Sequence, residues 1–324
     1  MRTARDYACG IAVEPSWNRP AGPFERLRLT AEDFQVIGQY ASRQALVPDQ
    51  DAAPQRLVRT HVEGRFSLTA DAVSLRRFLP LVIGGSWVGS GQGSGQGSGQ
   101  GSGQGAAATA RLQTEGGDEA GSLAFIRRLA DRDSWQLHSG LRIQRLRLFP
   151  GGDGGMLMAV DCLGAERRPG GTLSLSGLPA MQPAMRLAAP PDGLGLRPPG
   201  GRALSPLFLG GLEVEFARQG MRAHVALAAD TPQLITPGRL VVRLGIRLLA
   251  NDAARAASLH DRLAATLTLD DGGERMVMAF ASSRTVARQE IVDASGGPAM
   301  IHLRLQAEAG DPGPVRIRLM TVQT

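Results

Sequence analysis

Apolar and polar residues alternate along much of this chain with a period of two, the spacing of a strand that buries one face. Leu240, Val242, Leu244, Ile246 and Leu248 are interleaved with Arg239, Arg243 and Arg247, which predicts a long half-buried strand. Met276, Met278 and Phe280 follow the same rule. So do Ile301, Leu303 and Leu305 against His302 and Arg304, and Val315, Ile317 and Leu319 against Arg316 and Arg318. Leu212, Val214 and Phe216 predict another strand, and Phe66–Leu68, Leu146–Leu148 and Met156–Val160 are their counterparts nearer the N-terminus. Helical signals are few. Asp71 is a candidate cap for a helix over 72–79, and Asn251 or Asp252 for an alanine-rich helix reaching about Leu263. The expectation is a mainly β protein: two tandem β-sandwich or partial-barrel domains, each with a short helix.

Two segments interrupt the pattern. Residues Gly89 to Gly105 are four copies of Gly-Ser-Gly-Gln and a closing glycine, a composition that cannot be buried and that orders at high entropic cost. Two readings stay open: a slack or engineered linker, or a loop ordered against a neighbouring subunit. The second interruption, 179–206, carries Pro183, Pro190, Pro191, Pro198 and Pro199 between its terminal prolines and is expected to resist both helix and sheet. The predicted organisation is a first β domain over 1–178, a connector over 179–206 and a second β domain over 207–324. A duplication is expected between them. Gly64-Arg65-Phe66 is paired with Gly238-Arg239-Leu240, and Leu146-Arg147-Leu148 with Leu303-Arg304-Leu305. The separation within the first copy exceeds that within the second by the length of the Gly89–Gly105 tract. That places the tract after the first helix of the first copy.

Length and composition narrow the function. The 324 residues are 43% hydrophobic and 20% charged, enough to bury a sizeable core. No lysine occurs, so all 36 basic residues are arginine, and the formal net charge is +6. Nine Phe, three Trp and two Tyr are too thinly spread for a stacking platform on single-stranded nucleic acid. Cys9 and Cys162 form no CxxC pair, and the five histidines (His61, His138, His224, His260, His302) fall in separate segments. The Asp270-Asp271-Gly-Gly, Asp153 and Asp311 positions are read as turns. No nucleophile elbow or phosphate-binding loop is found. The expectation is no enzyme, no cofactor and no metal. The apolar run 78–88 is too short to span a bilayer, and the N-terminus lacks an apolar signal core, so a soluble chain is expected.

The order of segments resembles the tail tube proteins of long-tailed, siphovirus-like bacteriophages. Tyr7 to Trp17 is similar to the family's N-terminal stretch. Arg59 to Ala70 with Leu75, Phe78 and Leu79 is similar to its extended strand and short helix. Trp135 to Leu148 with Gly155 to Gly164 resembles its central hairpin, and Gly211 to Phe280 a second sandwich. The resemblance implies a structural virion protein, assembled in the host cytoplasm, that forms stacked rings as the conduit for DNA ejection. Its implied partners are itself, the tape measure, the tail terminator and distal tail proteins, with double-stranded DNA passing through the lumen unbound and no membrane. With two sandwiches per chain, a ring would be a trimer with pseudo-sixfold symmetry. A tube of a bacterial contractile injection or secretion machine and a two-domain β-sandwich binding module are the alternatives.

An arginine-lined bore would hold DNA rather than let it slide. Arg243, Arg247, Arg304, Arg316 and Arg318 are therefore expected on the outside or at subunit contacts, and Glu213 and Glu215 towards the lumen. Gly89, Gln92, Gln96, Gln100 and Gly105 mark the tract as an inter-ring loop candidate.

Overall fold

The structure is a computed structural model that describes residues 8–41, 56–89, 109–114, 121–129, 134–170, 175–176, 181–189, 193–201, 209–226, 229–249, 261–291, 300–308 and 315–321. The chain runs through β1 (Cys9–Val13), β2 (Glu25–Arg26), β3 (Leu29–Ala41), β4 (Arg56–Thr69), α1 (Ala72–Ile83), β5 (Gly85–Gly89), β6 (Thr109–Thr114), β7 (Leu123–Leu129), β8 (Ser134–Pro150), β9 (Met156–Gly164) and β10 (Glu166–Pro169). It continues through β11 (Arg186–Leu187), β12 (Leu194–Arg197), β13 (Leu209–Gln219), β14 (Arg222–His224), β15 (Leu234–Thr236), β16 (Arg239–Leu249), β17 (Arg262–Asp270), β18 (Glu274–Ile291), β19 (Met300–Ala307) and β20 (Arg316–Thr321). The mainly β expectation is met. All strands but the separate β14–β15 hairpin belong to one hydrogen-bonded network.

One pairing pattern occurs twice. In the first set, β3 pairs with β4, β4 with β9, and β9 with β8. The N-terminal part of β8 then pairs with β7 and β10, and β7 with β1. In the second set, β13 pairs with β16, β16 with β19, and β19 with β18. The N-terminal part of β18 pairs with β17 and β20, and β17 with β11 and β12. Even the irregularities repeat. A register shift between Leu29 and Ala31 in β3 has its equal between Leu209 and Gly211 in β13. Another between Ile143 and Arg145 in β8 has its equal between Thr285 and Ala287 in β18. A bulge bends its strand and adds twist, which lets β8 and β18 each serve two layers.

These equivalences correct the sequence pairing. The partner of the β8–β9 hairpin is β18–β19, not β19–β20, and Gly64 matches Leu244, not Gly238. Short Leu-Arg-Leu motifs recur on any half-buried strand, so the motif matched the wrong one. The Gly89–Gly105 tract also accounts for only part of the difference between the sets, because the β5–β6 hairpin that flanks it is extra as well. Residues 179–206 were expected to resist sheet, yet they contain β11 and β12. Leu194 and Leu196 are buried, and that burial outweighs the local prolines. The helix expected to reach Leu263 cannot do so, since Arg262 and Leu263 open β17; residues 251–260 lie outside the described residues.

The sets meet where β8 pairs antiparallel with β13, with Leu146 opposite Phe216 and Leu148 opposite Val214. A second join is β6 on β20. One buried cluster runs through both sets, from Phe66, Phe78 and Phe125 to Phe216 and Phe280. Helix α1 packs across β8, β5 and β13. Asp71 caps it by accepting from the Ser74 amide at 2.7 Å, and Gly84 closes it at φ 77°. The helix runs past the expected Leu79 to Ile83 despite Pro80. Proline cannot donate to the Arg76 carbonyl, and the Trp87 indole does so instead at 2.7 Å.

Candidate functional site

The strands β3–β4–β9–β8–β13–β16–β19–β18 lie side by side, and alternation gives this run one apolar and one polar face. Val214, Phe216, Val242, Leu244 and Ile246 are buried, so the residues between them point the other way. Glu213, Glu215, Arg243, Arg247 and Arg304 therefore share one surface. This corrects the expectation that acids and arginines would occupy different surfaces. Antiparallel register sets Glu215 opposite Arg243 on one side and Arg147 on the other, and Arg243 donates to Glu215 at 2.7 Å. Arg316 and Arg318 are elsewhere: on β20, beside the N-terminal part of β18, they alternate with the buried Ile317 and Leu319 and follow the buried Val315.

On the first set the same face carries a cross-strand row, Asp33, Arg65, Asp161 and Arg145. Arg65 donates to Asp161 at 2.5 Å, and Arg145 lies 3.5 Å from its other oxygen. The hydrogen bond and charge of Asp161, with a smaller contribution from Asp33, hold Arg65 above the usual guanidinium range. Opposite charges placed directly across strands stabilise the pairing modestly.

Two strand edges lack a strand partner among the described residues. Among the described residues, β3 has a strand partner on one side only, β4. Beyond Thr285, whose amide donates to the Asp261 carbonyl, β18 is paired only with β19 among the described residues. Val36 on β3 and Val286 on β18 are 37% and 49% exposed, uncommon for valine in a sheet. In the repeated pairing pattern β3 is the equivalent of β13, and the C-terminal part of β18 of β8, the two strands that join inside the chain.

Several residues were not singled out by sequence. His138 is fully buried and stacked on Phe34 with ring centroids 4.8 Å apart; burial first, then Arg127 and Arg167, push its pKa down to about 3. Among the described residues neither of its ring nitrogens has a hydrogen-bond partner. Glu14 is buried and held above the usual carboxylate range by that burial, while the Gly140 and Asn18 amides and the Ser122 hydroxyl donate to it. Buried Arg218 donates to the Val82, Ile83 and Gly238 carbonyls. No spacing rule separates such residues from surface ones, because their roles depend on partners far along the chain. Burial pushes the Cys9 thiol up to about 12 and raises Cys162 further, so both are inert packing residues. Gly89 ends β5 facing open space, and Gln92, Gln96, Gln100 and Gly105 lie outside the described residues. Among the described residues no group of His, Cys, Asp or Glu could hold a metal, and no helix is long and apolar enough to cross a membrane. No protein-family model and no curated protein matches the chain.

Proposed function

We propose that the protein is a structural tube protein of a bacteriophage or phage-like particle, assembling through its own sheet edges into stacked rings that conduct DNA. The observation that carries this reading is the junction inside the chain. β8 and β13 join two copies of one pairing pattern, while their equivalents β18 and β3, at the two ends of the same strand run, have no second strand partner there among the described residues. Pairing β18 of one chain with β3 of the next repeats that junction between molecules. By the same register Val36 would lie opposite Arg288, as Phe216 lies opposite Leu146. Such contacts are head-to-tail: they close into a ring where the rotation allows and run on as a filament otherwise. Three chains of two sets each would give pseudo-sixfold symmetry. Tape measure, tail terminator and distal tail proteins are the proposed partners, and the virion tail the proposed location.

Electron microscopy and mass photometry of the purified chain test this. Rings of three chains, or tubes built from them, are expected. A persistent monomer, or rings of six separate chains, would overturn it. Val36→Lys with Val286→Lys charges both edges and is expected to abolish rings while leaving the melting profile of the single chain within a few degrees of the parent.

A further inference from the structure

The first set's polar row begins two residues beyond Ala31 and ends on the first residue past the β8 bulge. Its charges alternate through Asp33, Arg65, Asp161 and Arg145, so Asp161 lies between two arginines. The equivalent row of the second set is Glu213, Gly245, Arg304 and Ala287. Arg304 stands where Asp161 does, and the two positions beside it hold glycine and alanine. One row further, Ser67 and Ala159 of the first set are replaced by Arg247 and His302. The first set neutralises its own charges. The second concentrates positive charge and removes the side chains around it.

The result is a concavity of about 710 Å3, lined by Arg147, Arg247, Arg304 and His302, with Glu213 the one carboxylate in its wall among the described residues. Among the described residues none of the three arginines has an ion pair. The Nε of Arg147 and Nε2 of His302 are shielded from solvent and have no hydrogen-bond partner there. Gly245 is not required by the backbone, since a Cβ at that position would meet nothing closer than 3.6 Å. Its effect is to leave room above the sheet beside Arg304.

We infer that this concavity is an anion site that takes a phosphate group. Guanidinium groups present paired donors that match phosphate oxygens, and three of them against one carboxylate leave a surplus that a dianion neutralises. The inference goes beyond the ring reading and does not need it. Inorganic phosphate and the phosphodiester backbone of duplex DNA share this chemistry.

The test titrates the full-length chain with inorganic phosphate by calorimetry, and separately with a short DNA duplex over a range of salt. Gly245→Asp sets an acid beside Arg304, as the first set does, and Arg304→Gln removes the central cation. Each is expected to weaken phosphate binding about tenfold or more. Arg145→Gln, in the self-neutralised row, is expected to leave it unchanged. Duplex binding that weakens in parallel, with a shallower salt dependence, assigns the backbone as a ligand. Duplex binding that does not change assigns the site to free phosphate. Absence of phosphate binding by the parent chain, or binding that survives both Gly245→Asp and Arg304→Gln, overturns the inference. Assembly is read separately: phosphate binding by a chain that never forms rings would remove the ring reading alone.

Discussion

The two sets of strands share pairing order and bulges yet solve the same packing problem differently. Equivalent positions on β3–β4 and β13–β16 hold Phe34 opposite Gly64 in the first set and Val214 opposite Leu244 in the second. The Phe34 ring covers Gly64 so closely that a Cβ there would come within 2.1 Å of it. In the second set the volume is divided between two mid-sized side chains, both buried. The same number of side-chain carbons is distributed differently, which close-packed interiors tolerate better than local overpacking. A second difference lies at the position of Gly38, whose equivalent is Arg218. That arginine reaches back to the last carbonyls of α1, so the second set completes the helix of the first. The two sets thereby depend on each other at this helix end.

Four outcomes would break or sharpen this comparison. The largest effect is expected from Arg218→Ala, which strips the donors from three carbonyls and should cost about 3 kcal/mol, read as a lowered midpoint in urea. An unchanged midpoint would mean that the helix end is served by water and the sets are not coupled there. Next, Gly64→Leu should cost roughly 3 kcal/mol by overpacking, and adding Phe34→Val, which imports the second set's pair, should recover more than half. A double variant no better than Gly64→Leu alone would show that the sets are not interchangeable at this contact.

Acid should destabilise through His138. Its folded pKa of about 3 lies below the ordinary 6.5, so the unfolded chain binds a proton that the folded one refuses. Stability present above about pH 6.5 is then lost as pH falls towards 3, at up to about 1.4 kcal/mol per pH unit. Glu14 works in the opposite sense, because its raised pKa lets the folded state take a proton earlier. His138→Phe should flatten the acid limb of a stability–pH profile; an identical limb in parent and variant would assign acid sensitivity elsewhere. The smallest effect is expected from Asp161→Asn. Its partners Arg65 and Arg145 are 58% and 43% exposed, so about 1 kcal/mol or less is at stake, shrinking with added salt. A loss that persists in high salt would mean that the row is structural rather than electrostatic.

Much of the architecture was legible in the alternation. Val242 to Leu248 and Ile317 to Leu319 lie in strands with the expected residues buried, because a period of two is a local property that survives any packing. Asp71 was recognisable as a cap for the same reason: its hydrogen bond spans three residues. A repeat was expected from motif pairs and a spacing match that the hydrogen-bond register does not reproduce. Leu146-Arg147-Leu148 looks like any half-buried strand, and only hydrogen-bond register shows that β8 corresponds to β18. The candidate site was half legible. Glu213, Glu215, Arg243, Arg247 and Arg304 could be picked out as outward-pointing, but their common face required knowing that β13, β16 and β19 are neighbours.

Local sequence by itself determined where the chain is extended, where helix α1 begins, and which side of each strand seeks the core, since these follow from side-chain spacing and short-range hydrogen bonds. The tertiary structure alone decided that β8 meets β13, that Arg218 caps a helix more than a hundred residues upstream, and that Arg304 faces a glycine where its counterpart Asp161 faces an arginine. Those facts are pairings between distant segments, and a strand's own residues state which face is polar without stating what will lie beside it.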